Sequence, residues 1–260
     1  MKYLLKTSAF VLIAALVACA AKKPLQKPTL FLIGDSTVKN GRDNGANGQW
    51  GWGHFLPEFF DLGKINVENH ALGGTSTRTF RSKGLWDSVL VKLKAGDYVM
   101  MQFGHNDSSP LDDTARARGT IKGNADDSKE IYNPILKKQE RVYSYGWYIR
   151  QFIREAKAKG ATVIVCSLIP RSSWNYANKV NRSEYVEWAR AAAIQENAFY
   201  INLNKLIADE YDKLGQQKVD ALYLVKDHTH TTEAGAKFNA QKVAEGIKST
   251  KGLSLAKYLK

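Results

Sequence analysis

The sequence predicts an α/β protein: a three-layer α/β/α sandwich around a five-stranded parallel sheet of flavodoxin-like order. Three observations predict it. Five short β-favouring runs recur along the chain, at Thr29–Ile33, Ile65–Asn69, Tyr98–Phe103, Thr162–Cys166 and Phe199–Leu203. Apolar residues at helical spacing fill the intervals, so strands and helices alternate. Several runs are apolar throughout rather than at every second position, the pattern of strands covered on both faces. Such alternation closes into a parallel sheet with helices on each side, and 260 residues suffice for one large core.

The chain opens with Lys2 and Lys6 ahead of the apolar run Leu12–Val17, which is short for a bilayer span. That run ends in Leu16-Val17-Ala18-Cys19. Small residues before a cysteine in this place resemble a bacterial lipobox, in which Cys19 is lipidated and becomes the mature N-terminus. The expected organisation is a lipoprotein signal peptide over 1–18, a linker over 19–28 and one domain over 29–260. An ordinary signal peptide cut at a nearby alanine is the alternative. Both readings export the protein, either as a bacterial membrane-anchored lipoprotein (periplasm or outer-membrane surface) or as a secreted one.

The first strand runs straight into Gly34-Asp35-Ser36. Gly34 lets the backbone turn without a Cβ and aims Ser36 at a cleft beyond the carboxyl end of the strand, where open α/β sheets hold their chemistry. A plain surface turn is the alternative. A glycine- and asparagine-rich loop over 40–53 follows, ending Gln49-Trp50-Gly51-Trp52-Gly53, and Phe55, Leu56, Phe59 and Phe60 then have helical spacing. The second strand leads into Ala71-Leu72-Gly73-Gly74. Leu85, Val89, Leu90 and Leu93 mark a helix closed by Gly96. The third strand meets Gly104-His105-Asn106-Asp107.

Residues from Ser108 to about Gln139 read as a long polar loop carrying Arg116 and Arg118, a length usually functional or disordered. Val142, Tyr145, Ile149, Phe152, Ile153 and Ala156 then recur at helical spacing up to Gly160. After the fourth strand come a loop over 169–182 and a helix with Ser183 as its N-cap. Beyond the fifth, Leu206, Ile207 and Tyr211 give a helix closed near Gly215. The chain then supplies Asp227-His228-Thr229-His230 ahead of a last helix, Thr231 to about Lys248.

The formal charge is +13, but Lys2, Lys6, Lys22, Lys23 and Lys27 precede the domain, leaving about +8 on the rest. Basic residues are interspersed with acids along helices rather than gathered in a stripe, which argues against a nucleic-acid partner. A mild positive field would steer an acidic substrate such as a polyuronate. With Cys19 modified, Cys166 has no disulfide partner and reads as a small core residue.

In a parallel sheet the polar turns fall on one edge, bringing Ser36, Asn106, Asp227 and His230 together. A serine hydroxyl becomes a useful nucleophile when an imidazole takes its proton. His230 can serve as that base, and Asp227, three residues earlier, can hold its tautomer. The Asn106 side chain and the Ser36 and Gly74 N–H groups can stabilise an oxyanion. Each residue has another use: Asn106 as a turn former, Gly73-Gly74 as a flexible turn, Asp227-His228-Thr229-His230 as a cap or metal-ligand cluster. No other histidine stands in metal spacing with that pair.

The blocks Gly34-Asp35-Ser36, Gly74, Gly104-His105-Asn106-Asp107 and Asp227-His228-Thr229-His230 resemble, in order and spacing, the SGNH (GDSL-type) hydrolase superfamily. Gly34–Val38, Gly51-Trp52-Gly53, Gly74–Phe80 and Asp227–Thr231 are similar to its rhamnogalacturonan acetylesterase family. The resemblance implies the SGNH hydrolase fold, with Ser36 as nucleophile, His230 as base and Asp227 orienting it. The Ser36 and Gly74 N–H groups and the Asn106 side chain would form the oxyanion hole. It also implies removal of acetyl groups from galacturonate residues of pectic polysaccharide or oligosaccharide, without a cofactor. Gly73 competes with Gly74, and His228 with His230, although only the three-residue step from Asp227 matches the family's Asp-x-x-His. Trp174, in a loop at the active edge, and Arg171 are the candidate substrate contacts, and Arg116 and Arg118 could, like Arg171, meet uronate carboxylates, although solvated loop arginines are the commoner case. The competing functions are a lipid or short-chain ester hydrolase on the same fold, for which the polar segment after Ser108 makes a poor lid, and a non-catalytic surface glycan-binding lipoprotein.

Overall fold

A computed structural model describes residues 27–260, so the lipobox and Cys19 lie outside the described residues. In chain order the strands are β1 (Thr29–Gly34), β2 (Asn66–Asn69), β3 (Tyr98–Gln102), β4 (Ser128–Asn133), β5 (Lys138–Tyr143), β6 (Thr162–Cys166) and β7 (Phe199–Ile201). Between them come two short turns of helix, α1 (Arg42–Gly45) and α2 (Trp52–Phe55), then α3 (Thr77–Ser82) and α4 (Leu85–Lys92). The later helices are α5 (Tyr145–Ala158), α6 (Tyr185–Gln195), α7 (Leu203–Leu214), α8 (Gln216–Leu222) and α9 (Glu233–Ser249).

Five strands form one parallel sheet in the order β2-β1-β3-β6-β7, the flavodoxin-like order expected from the sequence. Side chains alternate across it because successive Cβ atoms point to opposite faces. Leu30, Leu32, Tyr98, Met100, Ile164 and Cys166 join the core under α2, α7 and α9. Phe31, Ile33, Val99, Met101, Val163 and Val165 pack on the other face against α3 to α6. Cys166 is a buried free thiol in that core, and burial pushes its pKa well up.

Three local expectations are corrected. The segment after Ser108 is not all loop: β4 and β5 pair as an antiparallel hairpin outside the main sheet. Its signal is weak because few positions turn inward, chiefly Ile131, Asn133 and Val142. Val142 therefore belongs to β5, and α5 starts at Tyr145 with Ser144 as its N-cap, the Ser144 hydroxyl accepting from the Trp147 N–H. Glu184, without a side-chain bond, holds the N-cap position of α6, while Ser183 Oγ accepts from the Tyr185 N–H at 3.3 Å. The last helix starts two residues later than expected, at Glu233, capped by the Thr232 hydroxyl.

Candidate active site

Gly34 ends β1 where any Cβ would lie 2.6 Å from the Gln102 carbonyl oxygen and from a Val38 methyl, so only glycine fits. The chain turns sharply there, with Val38 and Lys39 N–H groups donating to the Asp35 carbonyl at 3.2 and 3.0 Å. Asp35 is fully buried and accepts from both the N–H and the hydroxyl of Thr37. That hydroxyl also accepts from Gln102, whose amide oxygen takes the Trp52 indole N–H at 2.8 Å. Ser36 is thus seated between rigid neighbours.

The partner turn comes from the other end of the chain. The Asp227 Oδ1 accepts from the N–H groups of Thr229 and His230, each at 2.9 Å, folding the segment back on itself. This fold sets His230 Nδ1 2.6 Å from Asp227 Oδ2 and His230 Nε2 2.8 Å from Ser36 Oγ. Burial pushes the Asp227 carboxyl upward, but the bonds from His230 and Thr229 outweigh it and hold the pKa below the ordinary value. Trp50 and Thr231 exchange backbone and hydroxyl bonds that pin this turn beside the first one.

His228 stands apart. It adopts a left-handed φ of 58°, and its ring nitrogen lies 3.9 Å from Asp220. Among the described residues no group of three histidine, cysteine, aspartate or glutamate side chains is placed to hold a metal ion.

Gly73 and Gly74 form the turn after β2, tied to the end of β1 by the Leu72 N–H and the Thr75 hydroxyl, both donating to the Gly34 carbonyl. Gly74 takes a φ of 79°, which favours glycine, and an added Cβ on Gly73 would sit 3.6 Å from Ser36 Cβ. Both glycines line the cleft with Ser36, Asn106, Asp227 and His230. Asn106 Nδ2 donates to the Thr75 carbonyl at 2.8 Å, which leaves its second amide hydrogen for the cleft. A hydroxyl, an imidazole, a carboxylate and nearby amide donors share one open cleft of about 1020 Å³. That is the set acyl transfer requires.

The family model for GDSL-like lipases and acylhydrolases matches residues 32–238. The chain belongs to that family. It is 30% identical over 210 residues to a rhamnogalacturonan acetylesterase of Emericella nidulans, covering 80% of each chain. It is 29% identical over 253 residues to the rhamnogalacturonan acetylesterase RhgT of Bacillus subtilis, covering 92% of this chain and 95% of that one. The crystal structure of Bacillus subtilis protein YxiM superposes with a TM-score of 0.69 at 28% identity, covering 87% of this chain but 57% of that one. The chain therefore spans a little over half of YxiM, an uncharacterized esterase. The acetylxylan esterase Axe2 of Geobacillus stearothermophilus, at 16% identity and a TM-score of 0.56, covering 84% of this chain and 93% of that one, shares the fold of this family member.

The two candidate substrate contacts fare differently. Arg171 lines the cleft, but its fork is engaged: one nitrogen donates to the Thr229 hydroxyl at 2.9 Å and the other to the His105 carbonyl at 3.1 Å. Trp174 lies outside the cleft lining. Its ring packs on the core and its N–H donates to the Ser172 hydroxyl, because the loop folds back on itself where Trp174 pairs with Val180. Sequence reasoning passed over Gln49, whose amide reaches the outer oxygen of Asp227 at 3.4 Å, and Lys39, Arg42 and Lys83 of the cleft wall. Gln49 heads the Trp-Gly-Trp-Gly turn; the cations carry no motif.

Proposed function

We propose that the chain is a carbohydrate O-acetylesterase that removes acetyl groups from acidic, rhamnogalacturonan-type pectic glycans by way of an acetyl-serine. The observation that carries the mechanism is the unbroken line from Ser36 Oγ through His230 to Asp227, at 2.8 and 2.6 Å. Ser36 Oγ attacks the acetyl carbonyl carbon as His230 Nε2 takes its proton, while Asp227 keeps the imidazole oriented and balances the charge it gains. The oxyanion rests against the Asn106 amide and the backbone N–H groups near Gly74 and Ser36. His230 returns the proton to the departing sugar oxygen, leaving acetyl-serine. Water, deprotonated by the same imidazole, then releases acetate and restores Ser36.

The carbohydrate ester is supported by the named acetylesterases among the relatives, and the pectic substrate by two rhamnogalacturonan acetylesterases of near 30% identity. Acetate release from acetylated rhamnogalacturonan, measured beside acetylated xylan and a lipid ester, tests the substrate. Faster release from either comparison would displace it. Ser36→Ala is expected to lower turnover by at least about 10³-fold with the fold intact. Near-normal activity in that variant would remove Ser36 from the reaction.

The leader supports a further part of this reading: export and attachment to a membrane by lipid on Cys19, with the domain displayed in the periplasm or at the outer surface. Incorporation of labelled palmitate by the full chain, lost in Cys19→Ala, is the expected result. Equal labelling of both would refute it.

A further inference from the structure

Among the described residues the ion-paired arginines sit outside the cleft lining. Arg78, Arg81, Arg150, Arg154 and Arg182 each meet a carboxylate. The cleft wall is different. Lys39, Arg42, Lys83, Arg116, Arg118 and Arg171 line it, and among the described residues none of the six forms an ion pair. The one carboxylate of the lining, Asp227, is bonded to His230.

Arg118 is the member whose position is fixed. It is half-buried, with Nε donating to the Ser109 hydroxyl and Nη1 to the Gly74 carbonyl, both at 3.1 Å. These bonds use two of its five N–H groups and leave three for a ligand, including both on Nη2. They also hold the guanidinium at the glycine turn that lines the cleft together with Ser36. Burial and the nearby charge of Arg116 both weigh against the cation, while Asp113, Asp35 and Asp107 act in its favour. Asp113 accepts from the N–H groups of Ala115 and Arg116 rather than from a guanidinium. The charge of Arg116 opposes that of Arg118, and an anion bound at Arg118 relieves that cost.

We propose that Arg118, with Arg116 beside it, binds the free carboxylate of the sugar that carries the acetyl ester, so that the enzyme selects uronates whose acid is not itself esterified. The inference rests on the acetylesterase reading and adds the residues that read the acid. A planar fork meeting a carboxylate gives two parallel charge-assisted bonds, which a methyl ester cannot accept with the same strength. The remaining cations strengthen the field that draws the anion in.

The test uses acetate release from the methyl glycoside of O-acetylgalacturonic acid, as free acid and as its methyl ester, with p-nitrophenyl acetate alongside. The wild-type protein is expected to favour the free acid by about tenfold or more in kcat/KM, chiefly through KM. Raising the salt concentration should narrow that ratio. Arg118→Gln should bring it towards one, and Arg118→Lys should restore part of it. Because Arg118 also touches Gly74, Arg116→Gln, at an exposed position, provides an independent variant whose ratio should also fall. A wild-type ratio near one overturns the proposal, as does an Arg118→Gln variant that slows both sugars equally. Absence of acetate release from every probe would instead bring down the esterase reading and the clamp with it. Turnover without discrimination brings down the clamp alone.

Discussion

Asp107 lies beneath the Asn106 turn, fully buried, with its Oδ1 accepting from the Thr77 N–H at 3.1 Å and the Thr77 hydroxyl at 2.5 Å. Its Oδ2 has no hydrogen-bond partner among the described residues. Burial raises its pKa to about 7 against the pull of the Thr77 bonds. A carboxyl whose folded pKa is raised favours folding fully below its unfolded value of 3.8, and that contribution is lost as pH rises through about 7. The loss is on the order of 4 kcal/mol, at about 1.4 kcal/mol per pH unit. Asp107→Asn keeps an acceptor for Thr77 and has no charge to bury. Its melting temperature minus that of the wild type should therefore climb as pH rises from 4 to 8, whatever the offset between them. A difference that stays flat over that range contradicts this account. His105, one residue before Asn106, is likewise buried, and its pKa is pushed down to about 3 by burial and then by the charges of Arg171 and His230. The loop bearing Asn106 is therefore packed around groups that resist charging, and that rigidity suits an oxyanion donor.

At the scale of elements, the β4–β5 hairpin is fastened to the start of α3 by Arg78. This side chain is 1% exposed, grips Glu140 with two bonds of 2.9 and 2.6 Å, and donates to the carbonyls of Leu111 and Gly119. One guanidinium thus ties this segment to α3 at Leu111, Gly119 and Glu140, and Ile135, near the hairpin tip, lies on the cleft wall. Burial presses the Glu140 carboxyl upward, but bonds from Arg78 and Asn133 outweigh it and leave the pKa below its ordinary 4.5. That depressed pKa adds stability above 4.5, which is lost as pH falls through the lower folded value. Arg78→Met should cost about 3–5 kcal/mol, since it strands a largely buried carboxylate. It should also speed hydrogen exchange across residues 108–143 before the rest of the fold. Protection falling evenly through the molecule would mean that Arg78 is not a local fastener. The hairpin was hard to read because its strands are mostly exposed and polar, so the two-residue period that marks a strand scarcely shows in them.

Across the whole molecule, the sheet is the body from which the cleft loops project, and a buried aromatic cluster lies on the face of α3 to α6. Phe152 is fully buried, with its ring 5.0 Å from that of Trp86 and stacked at 5.8 Å on Phe103, which ends two residues short of His105. Phe152→Ala should cost about 3–5 kcal/mol and lower the melting temperature. If the sheet and the cleft unfold as one cooperative unit, esterase activity should disappear at the same temperature as the near-ultraviolet circular dichroism signal. Activity lost well below that transition would show that the loops melt on their own.

The sequence by itself determined the five parallel strands and their order, and it singled out Ser36, Asp227 and His230 as candidates that the fold brings together. Those signals are local: uninterrupted apolar runs, glycine where the backbone must turn, and a carboxylate three residues before an imidazole. Tertiary structure decided the rest, because it depends on which distant residues meet. Ser36 and His230 are 194 positions apart. Arg171 lines the cleft and also bridges two of its loops, while Trp174, expected in the cleft, packs on the core outside its lining. The cations around Arg118 come from segments scattered along the chain, and only packing reveals that none of them forms an ion pair among the described residues. A residue's neighbours along the chain set its backbone, but its charge partners are set by what the fold carries past it.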